Sequence, residues 1–265
     1  MNIEAIQAQL RKLKLRTAAQ EIHDVLGKHK RAVSLDWLGE LLERELDAKR
    51  ERGIQTRIKR AAFPEVCSLE SFDWKFNPKI DREKIEELAD LSFLKDNRIA
   101  LLLGAPGVGK THVAIAIGVR AAQAGYRVYW ASAKRLMQQI TQAKARNNLD
   151  ELFKRILSSH LWIIDDWGVV SMSREIAEEV FDLLDRRKYS CAMVLTSNRD
   201  VKEWGEVFPD PVLANAAIDR IFDQAEIVTF EGRSYRLKPR IRDIGQSQVE
   251  PQGLKGALPE AAAMS

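Results

Sequence analysis

One stretch of the sequence has the residue types and the spacing to bind phosphate, and it reads Gly104-Ala105-Pro106-Gly107-Val108-Gly109-Lys110-Thr111. It lies between an apolar segment, 99–103, and a helix-compatible segment, 112–124, which is the strand, loop and helix context of a P-loop. Glycines let successive backbone N–H groups point into one concavity at a helix N-terminus, where the helix dipole also favours an anion. The stretch therefore predicts a nucleotide phosphate site, and a glycine turn with a stray lysine is the weaker interpretation.

Two side chains of this stretch could act on a bound nucleotide. Lys110 would reach the β- and γ-phosphates, and the Thr111 hydroxyl would hold Mg²⁺. The predicted nucleotide-binding residues here are Gly104, Pro106, Gly107, Val108, Gly109, Lys110, Thr111 and His112. We therefore expect ATP and Mg²⁺ as the ligands.

A second apolar segment, 161–164, ends in two adjacent carboxylates, Asp165 and Asp166. Downstream of a P-loop, this is the Walker B pattern. Asp165 is predicted to hold the water shell of Mg²⁺, and Asp166 to accept a proton from the attacking water. Without the P-loop, the pair would be interpreted as a solvated turn; with it, the pair predicts ATP hydrolysis.

Two more polar residues follow later in the chain. Asn198 comes just after the apolar segment 192–196. Because ligands bind at the carboxyl ends of parallel strands, Asn198 is predicted to face the γ-phosphate and orient water, with capping of a turn as the alternative. Arg220 lies on an amphipathic segment and, taken by itself, is interpreted as part of a surface ion pair.

The elements that must position these residues alternate between helices and short apolar strands. The predicted strands span 99–103, 128–131, 161–164, 192–196 and 227–230. The predicted helical segments span 81–91, 112–124, 134–157, 174–187 and 211–222. Continuous apolar strands that alternate with helices indicate a parallel sheet covered on both faces. The predicted fold class is therefore α/β with a five-stranded parallel sheet.

Residues 1–62 are predicted to form a small all-helical domain. Two apolar sets recur there at helical spacing: Ile3, Ile6, Leu10 and Leu13, then Leu35, Leu38, Leu42 and Leu46. Ser34 is the predicted N-cap of the second helix. Because Pro64 breaks a helix, an aromatic linker is predicted over 63–80, with side chains that pack on the core or on an adenine. An ATPase domain is predicted over 81–244, and a disordered tail over 245–265.

Composition limits the class of protein. The 265 residues are 45% hydrophobic and carry a net charge of +4, and residues 1–60 hold 14 Lys and Arg against 9 Asp and Glu. That basic block predicts a polyanionic or acidic partner, or else a solvated helix face. Cys67 and Cys191 lie far apart without metal-ligand spacing, so they are predicted to be reduced thiols. With neither a membrane-length apolar run nor a signal-peptide pattern, we expect a cytoplasmic protein with no membrane partner.

Five segments, taken in order, resemble one group of ATPases. They read GAPGVGKT, LWIIDDWG, LTSN, AAIDRI and EGRSYR. Together they resemble the AAA+ ATPases of the DnaC/IstB group, over nearly the whole chain up to Arg242. The N-terminal helical extension without zinc-binding cysteines is more similar to IstB, the helper ATPase of insertion-sequence transposition. The resemblance implies an AAA+ core with the sheet order 5-1-4-3-2.

The resemblance also implies roles for single residues. Asn198 resembles sensor 1, and Arg220 resembles the arginine finger that reaches the ATP of a neighbouring subunit. Arg236 resembles a sensor-2 contact to the nucleotide, with Arg233 as its rival. Asp166 stands where most relatives have Glu, which implies slow basal hydrolysis that a partner stimulates.

The implied partners are duplex DNA, a transposase and further copies of the chain, in a ring or helix where Arg220 acts in trans. The N-terminal helices are the expected transposase-docking surface. Contacts to DNA phosphates are expected from Lys134, Arg135, Lys144, Arg146, Lys154 and Arg155, although solvated helix faces explain these residues equally well. The implied function is target-site selection in transposition. A DnaC-like helicase loader on single-stranded DNA and a passive DNA-binding adaptor stabilised by nucleotide are the alternatives.

Overall fold

Residues 2–28, 34–188 and 190–237 are described by the computed structural model of the chain. The helices are α1 (Ile3–Lys12), α2 (Arg16–Gly27), α3 (Asp36–Ala61), α4 (Arg82–Ala89), α5 (Lys110–Gln123), α6 (Ala133–Ala145), α7 (Leu149–Leu157), α8 (Arg174–Arg187) and α9 (Pro211–Phe222). The strands are β1 (Ile99–Gly104), β2 (Val128–Ser132), β3 (Leu161–Trp167), β4 (Ala192–Ser197) and β5 (Ala225–Phe230). Short 3-10 helices span Ser92–Leu94, Val201–Val207 and Tyr235–Leu237.

The five strands form one parallel sheet in the order β2-β3-β4-β1-β5. Read from the other edge, this is the order 5-1-4-3-2, so the predicted fold class is confirmed. Alternate residues of a strand point to opposite faces. Ala100 and Leu102 pack in the cluster that includes α4 and α5, whereas Ile99 and Leu101 pack in the cluster that includes α6, α8 and α9. Helices therefore cover both faces, which explains why the strands are continuous apolar runs.

The N-terminal helices form a cluster of their own. Buried residues of α1, α2 and the start of α3 pack together, and these are Ile6, Leu10, Ala19, Leu35 and Leu42. Helix α3 continues through Gly53, and near its end Ile58 and Ala61 pack on the α4 and α5 side of the sheet. The long helix α3 thus contacts both units, and the division at residue 62 stays a prediction.

The start of α3 differs from the prediction. Leu35, and not Ser34, occupies the N-cap position, so the predicted Ser34 cap is wrong by one residue. The Ser34 hydroxyl accepts the Asp36 N–H at 3.4 Å and donates to the Asp36 carboxylate at 2.9 Å. The burial of Leu35 in the N-terminal cluster accounts for the shift, because that side chain must enter the cluster where the helix begins.

Residues 63–80 contain neither helix nor strand and run across the α5 side of the sheet. Cys67, Leu69 and Ile80 are buried there, and Phe72 and Trp74 pack against the same cluster. The predicted disordered tail, 245–265, lies outside the described residues. In the described part of the chain, no helix combines the length and the apolar character that crossing a bilayer requires.

Candidate nucleotide site

The glycine loop between β1 and α5 has the backbone conformation that its sequence predicts. Helix α5 begins at Lys110, and Gly109 precedes it with a φ of +111°. Gly107 also has a positive φ, +79°. A Cβ atom at Gly109 would lie 2.5 Å from Phe72 Cε2, and one at Gly107 would lie 2.1 Å from Ser234 Oγ. These two positions therefore require glycine, both for conformation and for the close approach of distant segments.

The Lys110 ammonium is buried and folded back onto its own loop. Its Nζ donates to the carbonyl oxygens of Gly104 at 2.7 Å and Ala105 at 2.8 Å, and to Asn198 Oδ1 at 2.6 Å. Burial lowers the pKa of Lys110 to about 8, while the charges of Asp166 and Asp165 oppose that shift. A phosphate group that enters the loop can replace these carbonyls as the partner of the ammonium.

Asp165 lies near the carboxyl end of β3, and its carboxylate meets the first turn of α5. Thr111 Oγ1 donates to Asp165 Oδ1 at 2.8 Å, and Thr196 Oγ1 donates to the same oxygen at 2.6 Å. Burial raises the pKa of Asp165, and the hydrogen bonds from Thr196 and Thr111 lower it. A carboxylate and a hydroxyl that converge in this way are the hard oxygen ligands that Mg²⁺ prefers.

Magnesium would need further oxygen ligands at this place. In the described residues, no group of three or more His, Cys, Asp or Glu side chains could hold a metal ion. Mg²⁺ usually keeps several waters and binds through one or two protein ligands together with substrate phosphates. The Thr111 and Asp165 pair beside the phosphate loop fits this mode of binding.

Asp166 follows Asp165 but lies exposed to solvent on the cavity side. Its φ is +57°, a left-handed conformation that Asp and Asn adopt several-fold more readily than most residues. Asn198 Nδ2 donates to Asp166 Oδ1 at 3.0 Å. Since Asn198 also accepts from Lys110, one chain of hydrogen bonds joins Lys110, Asn198 and Asp166. The backbone conformation gives a physical reason for Asp here in place of Glu.

A cavity of about 320 Å³ opens at this chain of residues. The glycine loop, Asp166 and Asn198 form its floor, and two other segments form its walls. The predicted linker contributes Phe72 and Phe76, and the segment after β5 contributes Tyr235 and Arg236. Phe72 packs on the core cluster, as one of the two predictions for the linker aromatics has it, and also lines the cavity. Its contact with an adenine stays a prediction.

A buried asparagine that the sequence reasoning missed joins these two walls. Asn77 Nδ2 donates to the Arg233 carbonyl at 3.0 Å, and Asn77 Oδ1 accepts the Arg233 N–H at 2.9 Å. Tyr235 N–H in turn donates to the Gly107 carbonyl at 2.8 Å. No local pattern marks Asn77, because its partner lies 156 positions away in the sequence.

The two rival arginines occupy different places. Arg236 lines the cavity, and its charge acts on Lys110, whereas Arg233 is held through its backbone by Asn77 and is not among the lining residues. His112 borders the cavity, but its Nε2 faces the linker, 2.9 Å from the Ser68 carbonyl oxygen. The geometry therefore favours Arg236 over Arg233 as a nucleotide contact.

Arg220 does not line the cavity of its own chain. It lies on α9, where its guanidinium donates to Asp185 of α8 at 2.6 Å and to Asp219 at 3.1 Å. Its side chain is 36% exposed. The interpretation as a surface ion pair holds within one chain, and the role as an arginine finger stays a prediction.

The six predicted DNA contacts differ in their surroundings. Lys134 and Arg135 are exposed in the first turn of α6, where Ser132 caps the helix. Lys144 is bound to Glu179 of α8 at 2.7 Å, and Arg155 lies over the Tyr129 ring at 5.8 Å. Arg146 and Arg155 border a groove between α6 and α7, and Lys154 is exposed. Lys134, Arg135 and Lys154 are therefore the more available of the set for a phosphate contact.

In fold, the chain is similar to two solved structures, of DnaA and of DnaI. The superposition on AMPPCP-bound DnaA from Aquifex aeolicus has a TM-score of 0.54 at 21% identity and covers 72% of this chain and 58% of DnaA. For DnaI the TM-score is 0.53 at 22% identity, over 63% of this chain and 89% of DnaI. These likenesses concern the fold alone.

In sequence, the relatives belong to insertion sequences. A protein of insertion sequence IS21 from Pseudomonas aeruginosa, named for ATP binding, is 41% identical over 199 residues, which cover 75% of each chain. A protein of insertion sequence IS232 from Bacillus thuringiensis subsp. berliner, named in the same way, is 34% identical over 237 residues, 89% of this chain and 95% of the relative. The family described as IstB-like ATP binding protein matches residues 6–243. The chain therefore belongs to the IstB-like ATP-binding proteins of insertion sequences.

Proposed function

We propose that this protein is a Mg²⁺-dependent ATPase that assembles on duplex DNA in its ATP state and presents a target site to a transposase. The observation that carries the ATPase part is the hydrogen-bonded chain from Lys110 through Asn198 to Asp166, beside the Thr111 and Asp165 pair. Family membership supports the nucleotide, and the insertion-sequence relatives support the link to transposition.

The residues of the site divide the work of hydrolysis. The loop N–H groups at the start of α5 bind the phosphates, and Lys110 transfers its hydrogen bonds from the loop carbonyls to phosphate oxygens. Thr111 and Asp165 would hold Mg²⁺, which would neutralise charge on the phosphate oxygens. Asn198 orients the attacking water, and Asp166 accepts its proton.

The position of Arg220 supports the proposed assembly. The cavity of one chain is lined by Lys110, Asp166 and Arg236 but not by Arg220, whose side chain lies on α9 and is 36% exposed. We place Arg220 in the nucleotide site of an adjacent subunit, where it stabilises the charge of the transferred phosphoryl group. ATP binding would then bridge two subunits, and hydrolysis would release the bridge.

The DNA and the transposase would use other surfaces. Lys134 and Arg135, together with Arg146, Lys154 and Arg155, supply cations for contacts to phosphates rather than to bases. The cluster of α1, α2 and the start of α3 lies apart from the cavity, which leaves it free to bind the transposase. The proposed site of action is the bacterial cytoplasm.

The ATPase part is tested by turnover on duplex DNA with K110A and D166N, which remove the phosphate-binding charge and the proton acceptor. We expect each to lose about 100-fold or more in turnover. K95A and D96N, exposed residues just before β1, are matched controls that should keep the wild-type rate. A wild-type rate of turnover in both K110A and D166N would refute the proposed ATPase function.

DNA binding is tested by comparing a K134A/R135A double variant with a K84A/K95A control of the same charge change. A plot of log K for duplex DNA binding against log salt concentration has a negative slope. If both side chains contact phosphates, the magnitude of that slope decreases by about 1.8 in the first variant only. Equal affinity for duplex DNA in the ATP and ADP states would favour the passive adaptor. A strong preference for single strands would favour the helicase loader.

A further inference from the structure

The part of β3 that carries the two carboxylates forms a β-bulge opposite β4. Ile164 pairs with Leu195, and Trp167 pairs with Ser197, so Asp165 and Asp166 together face the single residue Thr196. A bulge places two residues opposite one, interrupts the hydrogen-bond ladder and re-aims the side chains that it carries. The positive φ of Asp166 belongs to this irregularity.

The Thr196 side chain forms hydrogen bonds at the place where the backbone ladder is interrupted. Its hydroxyl accepts the Asp166 N–H at 3.0 Å and donates to Asp165 Oδ1 at 2.6 Å. Thr196 is 0% exposed, so solvent has no direct access to replace the hydroxyl. One buried group therefore holds the carboxylate of Asp165 and the backbone of Asp166 at the same time.

The hydrogen-bonding groups of the Thr196 hydroxyl give this residue a role that an apolar packing residue cannot fill. A hydroxyl has one proton to donate and two lone pairs to accept, and here the proton is used on Asp165 and a lone pair on Asp166 N–H. Asp165 Oδ1 also accepts from Thr111, so its orientation is set by two hydroxyls on different elements. Removal of the Thr196 hydroxyl leaves Thr111 as the donor on that oxygen and frees the carboxylate to rotate.

We propose that Thr196 is a positioning residue of the nucleotide site: its hydroxyl holds Asp165 ready for Mg²⁺ and fixes the backbone from which Asp166 reaches the nucleotide. This inference rests on the proposed ATPase function. According to this inference, Thr196 contributes to the Mg²⁺-dependent part of nucleotide binding. A residue that only stabilises the fold would make no such contribution.

The test measures binding as well as turnover. A fluorescent ATP analogue is titrated into wild type, T196V, T196S and T229V, first in EDTA and then at increasing Mg²⁺. Valine matches threonine in shape but lacks the hydroxyl, serine keeps the hydroxyl, and Thr229 is an exposed strand residue that serves as the control for the same change. Thermal unfolding without nucleotide reports whether each variant is folded.

We expect T196V to bind the analogue in EDTA as wild type does, but to need about tenfold more Mg²⁺ for the enhancement of binding, because a hydrogen bond to a charged group is lost. The turnover of T196V at saturating nucleotide should also fall, whereas its KM for nucleotide in excess Mg²⁺ should change little. T196S should restore the Mg²⁺ requirement to within about threefold of wild type, since the hydroxyl is kept.

Two results would overturn the proposal: a wild-type Mg²⁺ requirement in T196V, or an equal defect in T196S and T196V. If T196V fails to fold, T196A replaces it, because the small cavity in T196A can admit a water that accepts the Asp166 N–H. T196A is then compared with T196S, and the same two results would overturn the proposal. Failure of the ATPase proposal is distinguishable, since wild type itself would then show no Mg²⁺-dependent turnover.

Discussion

The buried Lys110 ammonium should make the stability of the nucleotide-free protein depend on pH, and K110M should remove that dependence. Methionine keeps the length and apolar stem of the side chain but carries no charge. Lys110 is 4% exposed, and burial lowers its pKa from 10.5 to about 8. The ammonium therefore opposes folding wherever it is protonated, and nucleotide phosphates would offset that cost.

The sign and the size follow from the two pKa values. Below pH 8, Lys110 is protonated in the folded and the unfolded states, and the folded state bears the full penalty, about 3 kcal/mol for the shift of the pKa. Between pH 8 and 10.5 the unfolded state binds more protons, so the penalty falls as pH rises and stability increases. We expect the stability of wild type relative to K110M to rise by about 2 kcal/mol from pH 7 to pH 10.

The assay is urea unfolding in EDTA without nucleotide, at pH 7, 8, 9 and 10, for both proteins. Burial raises the pKa of Cys67 and of Cys191 to about 11, which destabilises the folded state above pH 9, but this effect is common to both proteins and cancels in their difference. Parallel pH curves for wild type and K110M would refute the reasoning, because the penalty would then not reside in Lys110.

Three further predictions concern the walls of the cavity and the subunit interface. R236A should weaken the affinity for a fluorescent ATP analogue by about tenfold, whereas R233A should not, because Arg236 alone of the two lines the cavity; equal effects would contradict this geometry. N77A should lower the free energy of unfolding by about 1–3 kcal/mol, measured in urea, because two hydrogen bonds to the Arg233 backbone are lost; K79A, the exposed neighbour, is the control and should change it little. R220A mixed with D166N should hydrolyse ATP faster than either variant does separately, because a mixed interface recovers one intact site; no gain on mixing would exclude action in trans.

Much of the fold could be predicted because the signals are local. Strands β1 and β4 are continuous apolar runs with buried neighbours on both faces, and the predicted ranges differ from the observed ones by a single terminal residue. The order of the strands has no local signal, and its prediction came from the resemblance to a family. Ser34 shows the limit at element ends, because α3 begins one residue later than predicted although the Ser34 hydroxyl still accepts the Asp36 N–H.

The residues of the site also divide into those that a local sequence pattern indicates and those that it does not. Motif spacing indicated Lys110, Asp165, Asp166 and Asn198, because a glycine loop and the ends of parallel strands converge in any sheet of this type. Thr196 was passed over, since its role depends on a bulge that appears only when β3 is paired with β4.

What the sequence determined by itself is therefore the phosphate loop, the acidic strand end and the alternation of helices and strands, since these depend on residues near one another in the chain. What only the tertiary structure decided is which distant segments complete the site. Asn77 reaches Arg233 across 156 positions, and Arg220 pairs with Asp185 within its own chain. Thr196 holds the Asp165 carboxylate and the Asp166 backbone N–H of the neighbouring strand. Such contacts depend on how the sheet order brings chain segments together, and short-range periodicity carries no information about that packing.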